Sequence, residues 1–140
     1  MEERRRTFCK QERLCSKKLI DDLFRTGHRL MVFPYSVRWK ECTKETLPEN
    51  VPAQVLIATS KRFFRHAVDR NRVKRLSREC YRQHKARLYQ TLEEGDTSLL
   101  LSINYVGNKI FDYHTLDSKI SKVVDQLIKL LDKQQEGGWQ

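Results

Sequence analysis

The chain has 140 residues and a mass of 16.8 kDa, enough for one ordinary domain with a small core and too little for a large multilayer one. Lys and Arg number 28 against 18 Asp and Glu, so the formal net charge is +10 and the pI about 9.7. That excess predicts a polyanionic partner, nucleic acid before an anionic membrane surface, while no apolar run approaches the roughly 18 residues of a spanning helix and the opening MEERRRTFCKQER lacks the apolar stretch of a secretory signal.

Residues 1–12 read as a basic flexible arm. Ser16 is placed to cap a first helix over 17–26, with Leu19, Ile20, Leu23 and Phe24 on one stripe and Gly27 as its stop. Residues 30–40 alternate: Tyr35, Val37 and Trp39 face one way and Ser36, Arg38 and Lys40 the other, as in a strand with one wet side. TKETLPENVP, 43–52, has the composition of a loop, and AQVLIATS, 53–60, reads as a second strand. Residues 61–67 read as a short strand or a turn ending near His66. A long helix is expected over 70–91, stopped by Gly95. SLLLSINYV, 98–106, reads as a buried strand broken by Gly107 and Asn108. Over 113–131, Leu116, Ile120, Val123, Leu127 and Leu130 or Leu131 recur at helical spacing, and 132–140 is expected to be a flexible tail. The order α-β-β-β-α-β-α predicts one α+β domain over 13–131, with helices packed on a small mixed sheet.

Cysteines stand at 9, 15, 42 and 80, with no C-x-x-C pair to indicate zinc or redox chemistry. They read as reduced thiols of a cytoplasmic protein.

The charge is local. Residues 61–87 carry 11 Lys or Arg against Asp69 and Glu79, a net +9, whereas 93–140 are net acidic. On a helical wheel from residue 70, Val73, Leu76, Cys80 and Leu88 share one arc, and Lys74, Arg75, Arg78, Arg82 and Lys85 the opposite one. Arg70, Asn71 and Arg72 fall at the expected N-terminus, where unbonded N–H groups also suit a phosphate. Arginine dominates, and its planar fork grips phosphate and stacks on bases. Like charges four residues apart oppose a helix, so an ordinary solvated face is disfavoured. The apolar face is too modest for a membrane or a calmodulin-like groove. His66 and His84 lie in a basic field and read as surface or phosphate-contacting residues. No carboxylate cluster predicts a metal site, and no residue is expected to be catalytic. A specific RNA partner, general RNA binding of a ribosomal or chaperone-like kind, and an autonomous nuclease are the three readings these residues leave, the last without a catalytic constellation.

SKRFFRHAVDRNRVKRLSRE, 60–79, closely resembles the signature of the bacterial ribonuclease P protein subunit, with Arg70-Asn71-Arg72, Lys74-Arg75 and Arg78-Glu79 at its centre. ERLCSKKLIDDLFRTGHRL, QVLIATSK, the LLLSIN strand and the last helix agree in order, so the resemblance spans roughly residues 10–131. It implies a small protein that, with ribonuclease P RNA, removes the 5′ leader of precursor tRNA. The RNA subunit would perform the Mg2+-dependent hydrolysis, with no cofactor in the protein itself, no membrane and no obligate protein partner. It also implies a left-handed βαβ crossover, against the usual hand. By the same resemblance, Arg70, Asn71, Arg72, Lys74, Arg75, Arg78 and Arg82 would contact the RNA subunit. Ile20, Phe24, Ser36, Arg38, Lys61 and Arg62 would line the path of the leader. The family often has a second Phe where this chain has Ile20, and many members carry Gly where it has Arg65-His66, so a different local turn is expected there.

Overall fold

The computed structural model describes residues 9–137. Helix α1 (Lys17–Thr26) leads into strands β1 (His28–Val32), β2 (Tyr35–Cys42) and β3 (Ala53–Thr59). Helix α2 (Ala67–Glu94), strand β4 (Ser98–Tyr105) and helix α3 (Tyr113–Gly137) follow. Short 3-10 turns form at Lys10–Glu12 and Lys44–Thr46. The four strands make one sheet in the order β1-β2-β4-β3, antiparallel except for the β3–β4 pair. A parallel pair needs a crossover, and α2 supplies it.

The expected element order holds, with its three early strands made differently. Residues 30–40 are two strands rather than one: β1 and β2 pair as a hairpin, with Val32 opposite Tyr35 and the cis Phe33–Pro34 bond at its tip. Pro34 has no N–H for a ladder and ends the run. Residues 61–67 contain no strand; the chain turns through Ser60–His66 and helix begins at Ala67, three residues before the expected start. Among the described residues only Asn50 and Asp96 combine a side chain with positive φ, so this turn makes no demand for glycine at Arg65 or His66.

Two cores lie on opposite faces of the sheet. Tyr35, Val37, Trp39, Val55, Leu101 and Ile103 meet α2 and α3 through Val73, Cys80, Leu88, Leu116, Ile120 and Leu127. On the other face, Leu100 and the partly buried Leu56 and Cys42 meet Leu23 and Ile20 of α1, with Leu14 and Leu47. Central β4 is covered on both sides, which is why it reads as a near-continuous apolar run. Ser16 caps α1 as expected, its Oγ accepting the Leu19 N–H. Gly27 follows because a Cβ there would lie 2.4 Å from the Leu23 carbonyl oxygen. At the end of α2 the left-handed residue is Asp96 rather than Gly95.

Both expected chain ends need correction where they are described. Residues 10–12 form a turn docked on the domain, and Leu14 N–H bonds the Val55 carbonyl at 3.0 Å along the β3 edge. Helix α3 continues through 132 to Gly137. The rest of the expected arm (1–8) and tail (138–140) lies outside the described residues.

Candidate nucleic-acid interface

Helix α2 is amphipathic along its first half. Val73, Ser77, Cys80 and Tyr81 are buried, and Tyr35 is tied to Ser77 by a 2.8 Å hydroxyl hydrogen bond that fixes the helix on the sheet. Asn71, Arg72 and Arg75 are exposed and Lys74, Arg78 and Arg82 half-buried, so six of the seven residues expected at the RNA lie along one accessible side. Burial first, and then the nearby Arg13 and Arg75 guanidinium groups, holds the Arg78 pKa below its ordinary value. Glu79 accepts from Arg82 at 2.5 Å and from Gln83, so Arg82 enters this surface already paired.

Arg70 differs from its neighbours. Its Nη1 donates to the carbonyls of Phe64 (2.8 Å) and Arg65 (2.9 Å), clamping the Ser60–His66 turn onto the helix. Its backbone N–H bonds the His66 carbonyl, so residues 70–72 do not supply the open N–H groups of the helix start; those belong to Ala67, Val68 and Asp69.

Lys85 is not part of the cationic side. It is fully buried and its Nζ lies 2.6 Å from Glu12 Oε2. The buried arc of α2 widens in its second half because the 9–14 segment packs there. His84 does not face outward either: Nε2 meets Asp117 Oδ1 at 2.8 Å, and Arg87 bonds Asp125, joining α2 to α3.

The second group of expected residues lies on the other face of the sheet. Ile20 is packed into the smaller core, while Phe24, one turn later, is 38% exposed. Arg38 reaches from β2 over the Phe24 ring, 5.4 Å from its centroid, and donates to the Phe24 carbonyl at 2.9 Å. Lys40 bonds Asp22 at 2.6 Å and Thr26 at 2.8 Å, fixing α1 against β2. Register places Ser36 opposite Asn104 and Arg38 opposite Ser102. Asn104 Nδ2 donates to the Ser36 carbonyl and to Ser102 Oγ. Asn104 completes a polar shelf, its amide held by the fully buried Ser102 hydroxyl, that the sequence alone did not reveal, because in SLLLSINY both read only as interruptions of an apolar strand; with a register assigned, their alternation with Leu101 and Ile103 was the available signal. Lys61 and Arg62 lie just past Thr59, which pairs with Tyr105, itself opposite Tyr35. They therefore sit at the same end of the sheet as Ser36 and the start of α2, linking the two groups.

Among the described residues no group of three His, Cys, Asp or Glu could hold a metal ion, and no helix is long and apolar enough to cross a membrane. The four cysteines form no disulfide; Cys80 is buried and Cys15 exposed.

A three-layer α+β domain carrying an arginine-rich helix beside a polar sheet face defines an RNA-binding protein. The family model described as Ribonuclease P matches residues 8–128. The chain is 31% identical over 113 residues to the ribonuclease P protein component of Porphyromonas gingivalis, covering 81% of this chain and 80% of that one. It is 31% identical over 125 residues to that of Chlorobium phaeobacteroides, covering 84% and 86%. The fold is similar to the RNase P proteins of Staphylococcus aureus (TM-score 0.62, 17% identity, covering 84% of this chain and 96% of that one) and Thermotoga maritima (0.60, 17%, 82% and 96%). The chain belongs to the ribonuclease P protein family, the protein component of a tRNA-processing ribonucleoprotein that works with an RNA subunit.

Proposed function

We propose that the exposed side of α2 binds the RNA subunit through Asn71, Arg72, Lys74, Arg75, Arg78 and Arg82, with Arg70 holding the turn that presents them. The observation that carries this reading is a row of cations with only Glu79 as an acid among them, fixed to the sheet by buried residues of the same helix. The polar shelf of Ser36, Arg38 and Asn104, bounded by Ile20 and Phe24 and continued by Lys61 and Arg62, would take the single-stranded 5′ leader of precursor tRNA. An exposed ring beside a guanidinium suits an unpaired base, and shelf hydroxyls and amides suit sugar and base edges.

In this reading the protein performs no chemistry itself. Mg2+ would be held by RNA and substrate phosphates and would supply charge stabilisation for hydrolysis. The chain contributes cations that reduce phosphate repulsion where enzyme RNA and substrate meet, and it orients the leader. The protein would act in the cytoplasm.

Reconstitution tests this. The protein, a bacterial ribonuclease P RNA and labelled precursor tRNA are mixed at low magnesium, with each omitted in turn. Leader removal is expected only with both protein and RNA present. Cleavage by the protein alone would overturn the division of labour, and tight RNA binding without any stimulation, even with the cognate RNA, would overturn the leader assignment.

A further inference from the structure

The 9–14 segment wraps the free edge of the sheet. Glu12 reaches α2 on one side of β3, and Leu14 joins the small core on the other. Between them Arg13 bridges to Val55, and the Gln54 amide donates to the Gln11 carbonyl at 2.9 Å. The Glu12 carboxylate is 7% exposed and filled on both oxygens. Oε1 accepts the Cys9 N–H at 3.0 Å; Oε2 accepts from Lys85 Nζ at 2.6 Å and from the Tyr89 hydroxyl, which itself accepts from Tyr81 at 3.4 Å. A buried ion pair adds little stability over apolar side chains of the same shape, but losing one partner strands the other charge in the interior, so this pair holds the segment where it crosses the sheet edge.

We infer that Glu12, Lys85 and Tyr89 form a buried latch that fixes this segment and so places Arg13 in the cationic side of α2, making Arg13 a further RNA-phosphate contact and the three latch residues its positioning residues. Arg13 is exposed between two buried neighbours, Glu12 and Leu14, so its side chain is the one turned outward from the docked segment. Its neighbour Glu12 is bonded to Lys85, one turn along α2 from Arg82 and two from Arg78, so Arg13 leaves the segment beside those cations, and its charge helps to hold the Arg78 pKa down. The inference rests on the reading that this side of α2 binds RNA, and it goes beyond that reading by extending the surface onto a segment far away in sequence.

The test is a salt titration of the full chain binding to ribonuclease P RNA, with Arg75→Ala as reference. One phosphate contact releases about 0.9 of a counterion, so Arg13→Ala should weaken binding roughly eightfold at 0.1 M salt and flatten the log–log slope by about 0.9. Glu12→Gln should produce the same loss, and Glu12→Gln combined with Arg13→Ala should lose nothing more, because both remove the same contact. Far-UV circular dichroism checks the fold. If Glu12→Gln unfolds, Tyr89→Phe keeps the ring and should give a smaller loss that again vanishes in the Arg13→Ala background. An unchanged slope for Arg13→Ala, full affinity in a folded latch variant, or additive losses would each overturn the latch. If Arg75→Ala weakens binding while the latch variants do not, the latch alone fails; if Arg75→Ala is also silent, the RNA-binding reading of α2 fails with it.

Discussion

Replacing Phe24 by Ala separates a leader contact from a core contact. The ring keeps 38% of its surface exposed, so about three-fifths of a full Phe burial is at stake, roughly 1–2 kcal/mol of folding stability. The Arg38 guanidinium over the ring adds about 0.5–1 kcal/mol at an exposed site. The variant should therefore fold, unlike Leu23→Ala, where a fully buried side chain would cost roughly 3–5 kcal/mol. Stacking of one base on an aromatic ring is worth about 1–3 kcal/mol, so affinity for a leader-bearing precursor should fall roughly 5- to 150-fold. The assay is equilibrium binding of the reconstituted holoenzyme to precursors with leaders of increasing length. The loss should be absent for mature tRNA and should grow until the leader spans the shelf. An equal loss at every leader length would refute the stacking role and leave Phe24 as a packing residue of α1.

Three further outcomes are expected. Arg70→Ala should lower thermal stability by about 1–3 kcal/mol because two carbonyl bonds are lost, whereas Arg72→Ala should leave the melt within about 0.5 kcal/mol of the parent while weakening RNA binding; equal melts for the two variants would count against the clamp. The Lys40 ammonium bonded to Asp22 holds that carboxyl below its ordinary value of 3.8, so its stabilising contribution is present above that pH and is lost as pH falls through the lower folded value. The parent should accordingly lose more stability than Asp22→Asn on acidification below about pH 4, and parallel acid melts of the two would contradict it. Burial pushes the Cys80 thiol up to about 12 and Cys42 up to about 11, so at about pH 8 a disulfide reagent should modify exposed Cys15 rapidly and Cys80 only on unfolding. Equal rates for Cys15 and Cys80 would contradict the packing of α2.

The cationic side of α2 was legible because it is periodic: a helix repeats its faces every few residues, and Lys74, Arg75, Arg78 and Arg82 keep step with one face while Val73, Ser77 and Cys80 keep step with the other. The same logic located the stripe of Leu116, Ile120, Val123 and Leu127, and the alternation of Tyr35, Val37 and Trp39. Ser16 and Gly27 marked the limits of α1 because capping and close approach act over a few bonds. Pro34 carried a readable signal for the hairpin tip that the alternation around it masked.

Other features had no local signal. Lys85 falls on the wheel beside Lys74 and Arg78, and nothing in α2 says that it is buried; the partner that buries it, Glu12, is 73 residues away. Arg70 stands among phosphate-binding candidates by type, yet its guanidinium closes a turn. Ser102 and Asn104 join Ser36 and Arg38 only once the β2–β4 register is set. Sequence by itself determined which residues share a helix face or a strand face, since that follows from backbone geometry over neighbouring residues. Tertiary structure alone decided which faces meet, because the burial of an ion pair, the clamp of a turn and the pairing of strands are settled by contacts between segments that chain geometry leaves independent.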